Sequence, residues 1–268
     1  MSARRYVSRV CGVGGAALVL LLGAAGAEAI ALPTIVAAPG HPHKSITLVG
    51  LGDSVTAASN CDCAGFITDY AGSLGKAADA PVTEFNLGQD GETSGGLRAT
   101  LEPGRAAVDP VARADVVVIT IGANDFNGQV SAMRSGKCGG AADLDCTVAT
   151  LAAMSRNVDA VLDRIRALHD GAPVTVLVTG YWNVFEDGDV ARGDYPTAFR
   201  TASDLLTRRV NAALHTVCAA KKVRYVDIYT PFKGNDGDAD DTRLLASDGD
   251  HPDAAGHRVI ADALARAS

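Results

Sequence analysis

The chain has 268 residues, 47% of them hydrophobic and 21% charged, with a formal net charge of −7. That length is enough to bury a substantial core and fits one domain, or at most two. The acidic balance removes any electrostatic reason to bind nucleic acid or an anionic membrane surface.

The N-terminus reads as a targeting segment. Arg4, Arg5 and Arg9 precede an apolar stretch from Val10 to Ala27, and Ala27-Glu28-Ala29 offers a small-x-small cleavage pattern. The stretch is rich in Gly and Ala and falls short of the ~20 strongly apolar residues that a span needs. Residues 1–29 are therefore expected to be a signal peptide, and the remainder to be secreted. Gly12-Val13-Gly14-Gly15-Ala16-Ala17 imitates a dinucleotide fingerprint, but it lies inside this segment with no strand before it and carries no weight. Residues 30–44, with Pro33, Pro39 and Pro42, read as a flexible linker. The domain is expected to span 45–268.

Five apolar runs follow: Ile46–Leu51, Val82–Asn86, Asp115–Ile121, Val174–Thr179 and Val223–Ile228. Between the third and fourth, Leu151, Met154, Val158, Val161, Leu162, Ile165 and Leu168 recur at helical spacing, and Leu205, Leu206, Val210, Leu214 and Val217 do so between the fourth and fifth. Strands apolar on both faces that alternate with helices predict a parallel sheet covered by helices. Sites in such sheets form at the carboxyl ends of the strands. Ser54, Gly91, Asn124 and His251 fall after the first, second, third and fifth runs.

Ser54, in Gly52-Asp53-Ser54-Val55, is placed where a strand gives way to a turn. Asp248-Gly249-Asp250-His251-Pro252 sets an Asp three residues before a His. Such an Asp can hold the imidazole in one tautomer while the other ring nitrogen takes a serine proton. Asp250 also neighbours His251 and is the alternative orienter. Each residue has a structural competitor: Ser54 as a helix cap, Asn124-Asp125 as a turn, Gly91 as a helix-entry glycine, Asp248 and His251 as a cap with a solvated ring. None of these explains why all of them recur in order at strand ends. Thr56 stands where the final glycine of a Gly-x-Ser-x-Gly elbow belongs, so that motif is absent.

From about residue 46 to 266 the chain resembles the SGNH (GDSL) hydrolases. The blocks are Gly52-Asp53-Ser54-Val55 (Val replacing the usual Leu), Asn86-Leu87-Gly88-Gln89-Asp90-Gly91-Glu92-Thr93, Gly122-Ala123-Asn124-Asp125, and Asp248-x-x-His251-Pro252. Cys61-Asp62-Cys63, Gly180-Tyr181-Trp182-Asn183 and the Cys138/Cys146 loop look similar to the secreted bacterial lipase/esterase branch. The resemblance implies a three-layer α/β/α, flavodoxin-like fold with a five-stranded parallel sheet. It also implies hydrolysis of carboxylic esters through an acyl-serine, without a cofactor or catalytic metal. Carried over, Ser54 is the nucleophile, His251 the base and Asp248 its orienter. The oxyanion donors are the Ser54 and Gly91 N–H groups and the Asn124 amide, with Gly88 as the neighbouring alternative to Gly91.

Phe126, Trp182, Phe185 and Tyr195 are expected to wall the pocket, or else to pack their own loops. The expected partner is a small-molecule or lipid ester, taken by a monomer with no stable membrane span. Removal of acetyl groups from polysaccharide or cell wall is the alternative activity, and a non-catalytic carbohydrate-binding module the alternative class.

Cys11 leaves with the signal, and five cysteines remain. Cys138 and Cys146 flank a Gly-rich loop and form the best pair; Cys218, at the far end of a helix, is expected to be a free buried thiol. Cys61 and Cys63 are a candidate second bridge, one residue apart. Asp236-Gly237-Asp238-Ala239-Asp240-Asp241 imitates a calcium loop, but it lacks the Gly at the sixth position and has Ser247 in place of the twelfth-position Glu, so a solvated acidic loop is expected.

Overall fold

The computed structural model describes residues 45–138 and 143–268. The expected signal peptide and the 30–44 linker lie outside the described residues. Five parallel strands form one sheet: β1 (Ile46–Gly52), β2 (Val82–Gly88), β3 (Val116–Thr120), β4 (Thr175–Thr179) and β5 (Arg224–Val226), in the order β2-β1-β3-β4-β5. The helices after β1 are α1 (Ser54–Ala57) and α2 (Gly65–Ala78); those after β2 are α3 (Ser94–Thr100) and α4 (Val108–Ala112). Beyond β3 come α5 (Val130–Arg134) and α6 (Asp145–His169); beyond β4, α7 (Gly188–Asp194) and α8 (Thr197–Lys221); beyond β5, α9 (Tyr229–Lys233) and α10 (Ala254–Ala267).

The layers follow from the strand order. β1 to β2 steps one way across the sheet and every later crossover steps the other, so right-handed connections put α2 on one face and α3, α6 and α8 on the opposite face. α2 packs with α10, and α6 packs with α3 and α8. The buried stripe of α6 is Met154, Val158, Val161, Leu162 and Ile165; that of α8 includes Leu206, Val210 and Leu214. Each fully buried aliphatic side chain contributes roughly 1.5–3 kcal/mol, far above the propensity differences within the helices. Both helices stop on a left-handed residue, Asp170 and Lys222.

The central strands are apolar on both faces, as expected: β3 is wholly buried and β1 nearly so. β2 corrects that expectation. It is an edge strand with Thr83, Glu84, Phe85 and Asn86 exposed, because it has a strand neighbour on one side alone. β5, the other edge, is three residues long, shorter than the apolar run around it.

The direction of the crossovers reverses between β1 and β3, and the carboxyl ends of these two strands flank the crevice where open α/β sheets bind ligands. Both strands end in glycine-led turns. Gly52 has φ +124°, and a Cβ there would sit 1.8 Å from the Thr120 carbonyl oxygen; Gly122 has φ +126°, and a Cβ there would sit 2.8 Å from Met154 Sδ. At Gly52 the clash is with backbone, so glycine lets the end of β1 run close to β3; at Gly122 it is the positive φ, with the Met154 side chain of α6 close by, that favours glycine.

Candidate active site

β1 delivers Asp53 and Ser54 into the crevice. Asp53 is 1% exposed and N-caps α1, its carboxylate accepting from Val55 N–H at 3.1 Å and Thr120 Oγ1 at 2.7 Å. The Tyr181 hydroxyl donates to its other oxygen. Burial pushes the Asp53 carboxyl up to about 6, against the pull of the Tyr181, Thr120 and Val55 donors. Burial and the adjacent carboxylate together push Tyr181 well above its usual value. Ser54 is the first residue of α1, so its backbone N–H is one of the donors that an α-helix leaves unpaired.

After β2, the Glu92 N–H donates to the Gln89 carbonyl at 3.1 Å, closing a turn in which Gly91 takes φ +71°. A Cβ at Gly91 would meet nothing within 4 Å, whereas one at Gly88 would lie 2.4 Å from the Ala57 nitrogen. Gly91 thus serves a backbone conformation, and Gly88 a close approach of β2 to α1. Neither lines the cavity that contains Ser54.

After β3, the Asn124 amide donates to the Glu92 carbonyl at 3.0 Å and its oxygen accepts from Asn127 at 3.2 Å, which fixes the amide's orientation. Asp125 accepts from the Ser94 N–H at 2.9 Å and the Ser94 hydroxyl at 2.6 Å, clamping this loop to the start of α3. Asn124-Asp125 is therefore more than a turn.

The loop before α10 carries the pair Asp248 and His251. His251 Nδ1 lies 2.7 Å from Asp248 Oδ2 and 3.9 Å from Asp250 Oδ2. Asp248 Oδ1 accepts the backbone N–H groups of Asp250 and His251, each at 3.0 Å, and Asn60 Nδ2 donates to Oδ2 at 2.6 Å. Partial burial alone would raise the Asp248 carboxyl; these donors outweigh it and hold it down at about 2. The loop is braced from below, with Asp187 N–H donating to the Gly249 carbonyl at 2.6 Å and Ala246 N–H to the His251 carbonyl at 2.8 Å.

Ser54, Asn124 and His251 open on one cavity of about 220 Å³, walled further by Trp182, Phe185 and Tyr195. Asn183 orders that wall: its side-chain oxygen accepts from Phe185 N–H at 3.1 Å and from the Ser203 hydroxyl. Trp182 stacks on Phe232 with 4.6 Å between ring centroids, so it serves core and wall together. Phe126 is a correction. It is fully buried on a 3₁₀ turn and does not line the cavity, because that turn directs it into the core.

Tyr181 and Asn60 were not among the expected site residues. The one signal for Tyr181 in the sequence is its place in Gly180-Tyr181-Trp182-Asn183. Asn60 had none beyond its place before Cys61.

Cys138–Cys146 and Cys61–Cys63 are bridged, with Cα separations of 5.3 and 5.1 Å, and Cys218 is a buried free thiol. Burial pushes Cys218 up to about 12. Cys61 and Cys63 lie within 4.8 Å of His257, yet this cluster suits no metal as it stands. The sulfurs are bonded to one another, and the His257 Nδ1 lone pair accepts the Phe66 N–H at 3.2 Å. In the acidic loop, Asp240 pairs with Arg192 at 3.1 Å, and Asp241, 1% exposed, faces Lys233 Nζ at 3.6 Å. The expectation of a solvated loop is thus corrected at Asp241, which is buried near the Lys233–Asp187 ion pair. No described helix is long and apolar enough to cross a membrane.

Comparisons with known proteins agree with this architecture. No curated protein sequence matches the chain. Among solved structures, a lipase from a goat rumen metagenome is similar with a TM-score of 0.68 at 19% identity, covering 84% of this chain and 98% of its own. An acetyl-xylooligosaccharide esterase from Geobacillus stearothermophilus is similar with a TM-score of 0.58 at 18% identity, covering 85% and 96%. A lipase/acylhydrolase from Enterococcus faecalis gives a TM-score of 0.53 at 19% identity, covering 82% and 94%. At these identities the likeness is one of fold. Residues 51–259 match the GDSL-like lipase/acylhydrolase family, a span that takes in every block of the site. The chain belongs to that family and is a carboxylic-ester hydrolase.

Proposed function

We propose that the protein is a secreted serine esterase in which Ser54 attacks the ester carbonyl and His251 takes the serine proton. The observation that carries this reading is the shared cavity of Ser54, Asn124 and His251, with His251 Nδ1 held 2.7 Å from Asp248. Asp248, ionised at any working pH, accepts a hydrogen bond from His251 Nδ1–H and leaves Nε2 as the base. Attack forms the Ser54 Oγ–carbon bond and moves the carbonyl electrons onto oxygen. That oxyanion is met by the Ser54 N–H at the unpaired start of α1 and by the Asn124 amide, both on the cavity; the Gly91 N–H, outside the cavity lining, is the third donor on the family resemblance alone. Collapse expels the alcohol with the proton from His251, and water repeats the cycle on the acyl-enzyme.

The cavity is below the 300–1,000 Å³ of drug-sized sites and mixes Asn124, Asn127, Asn183 and Glu186 with its aromatic wall. That lining favours a short acyl group and a polar alcohol over a long chain. The same observation favours removal of acetyl groups from carbohydrate as the second reading, the activity named for one structural neighbour. The enzyme acts as a monomer outside the cell, where the two bridges persist. The deciding experiment is hydrolysis of p-nitrophenyl esters and acetylated xylo-oligosaccharides by wild type and Ser54→Ala. Turnover that depends on Ser54 is expected with acetyl esters. Substantial turnover by Ser54→Ala refutes the nucleophile.

A further inference from the structure

Asn60 connects the two halves of the site. We propose that it is a positioning residue for ester hydrolysis, holding the Asp248–His251 pair in place relative to Ser54 by donating its side-chain amide hydrogen to Asp248. The inference rests on the roles given above to Ser54, His251 and Asp248, and adds a residue that the family's blocks do not contain.

The amide nitrogen of Asn60 lies 2.6 Å from Asp248 Oδ2 and 3.4 Å from His251 Nδ1. Asp248 Oδ2 is the same oxygen that holds the imidazole at 2.7 Å. Two donors converging on one oxygen, with two backbone donors on the other, leave the carboxylate no freedom to rotate away from the ring.

The segment that carries Asn60 is itself fixed to the nucleophile. Ser59 N–H donates to the Ser54 carbonyl at 3.0 Å, and the Ser59 hydroxyl donates to Asp90 in the turn after β2. Ala58, Asn60 and Asp62 all have positive φ, 58°, 58° and 50°. Asn and Asp tolerate that region better than other side chains. The Cys61–Cys63 bridge closes the chain immediately after Asn60. A segment built of left-handed residues and closed by a bridge is a costly way to make a surface turn. It makes physical sense as a rigid mount for one amide.

Asn60 also acts on the base. By accepting the amide hydrogen, Asp248 Oδ2 shares charge that it would otherwise direct at the ring alone, so removing the amide strengthens the Asp248–His251 interaction. The other ionisable groups around the ring are Asp248 and Asp250 on its own loop, Asp53, Arg134, Tyr181, Glu186 and Tyr195 on the cavity walls, and His257 on α10. All of these are unchanged when Asn60 alone is replaced.

The test is Asn60→Gly, which keeps the left-handed backbone and removes the amide. With p-nitrophenyl acetate, kcat should fall about tenfold, as for loss of a hydrogen bond to a charged group, with KM within about twofold of wild type. The acid limb of kcat/KM should move upward by about half a pH unit. Asn60→Asp also tolerates the left-handed backbone and serves as the second chain if the glycine variant folds poorly. It sets a negative charge beside Asp248, and should move the limb further upward. Wild-type kcat and an unmoved limb in these variants would reduce Asn60 to a loop former and overturn the proposal. Ser54→Ala, run in parallel, separates the two levels. Activity without Ser54 overturns the functional reading and this inference with it; a dead Ser54→Ala beside an unaffected Asn60→Gly removes the inference alone.

Discussion

Ser54 follows a buried carboxyl whose three donors come from three different elements: Val55 on α1, Thr120 on β3 and Tyr181 after β4. Ser54→Ala touches none of these contacts, so we predict loss of nearly all ester hydrolysis with an unchanged thermal melt. Asn124→Ala should lower kcat by ~10²–10³ with little change in KM, because a preorganised amide acts mainly on the developing oxyanion. A pure KM effect in steady-state kinetics would instead place Asn124 in substrate binding. Asp53 makes a stability prediction whose sign follows from its raised value. Its folded pKa of about 6 exceeds the unfolded value near 3.8, so the native state holds the extra proton between these limits. Stability attributable to Asp53 therefore falls as pH rises from about 4 to 6. In denaturant melts, the difference between wild type and Asp53→Asn should shift in favour of the wild type on acidification across that window. A difference that stays flat or moves the other way contradicts the buried, proton-holding carboxyl.

At the scale of elements, α5 bears two cavity residues, Val130 and Arg134, and is tied to the start of α6 by the Cys138–Cys146 bridge. The Arg134 guanidinium lies 4.4 Å from the Tyr195 ring centroid, so the α5 segment also supports the aromatic wall. Closing a loop of this length is worth about 2–3 kcal/mol of chain entropy. The double variant Cys138→Ser/Cys146→Ser should raise KM several-fold at a temperature where far-UV circular dichroism is still native. Parallel loss of activity and ellipticity on heating would show that the bridge holds the domain and not the wall. The edge strands teach the opposite lesson. β2 brings Gly88 up against α1 although four of its residues face solvent, since its register with β1 is set by the ladder from Ile46↔Val82 to Gly52↔Gly88.

For the molecule as a whole, the sheet's reversal point sets where the site lies and the loops after β3 and β4 set how much it holds. A cavity of about 220 Å³ with polar and aromatic walls predicts that kcat/KM is highest for acetyl to butyryl esters and falls by the octanoyl ester. A rate that climbs with chain length on p-nitrophenyl esters would demand an open, extended acyl channel that this cavity does not provide.

Read as a sequence, the chain already determined the parallel sheet, because Leu48, Val49, Val117, Val118 and Leu177 are apolar on both faces and only a doubly covered sheet can bury them. It also determined the candidates Ser54, Asn124, Asp248 and His251, since strand-end position and the three-residue Asp–His spacing are local properties. The tertiary structure decided what depends on distant neighbours. The edge exposure of β2, the inward turn of Phe126 and the burial of Asp241 follow from packing, which no local spacing encodes. Asn60 meets Asp248 across 188 residues, and Tyr181 meets Asp53 across 128. Such pairs exist because the strand order brings loops together at one end of the sheet, and hydrogen bonds form where the folded chain puts donors and acceptors, irrespective of their separation along it.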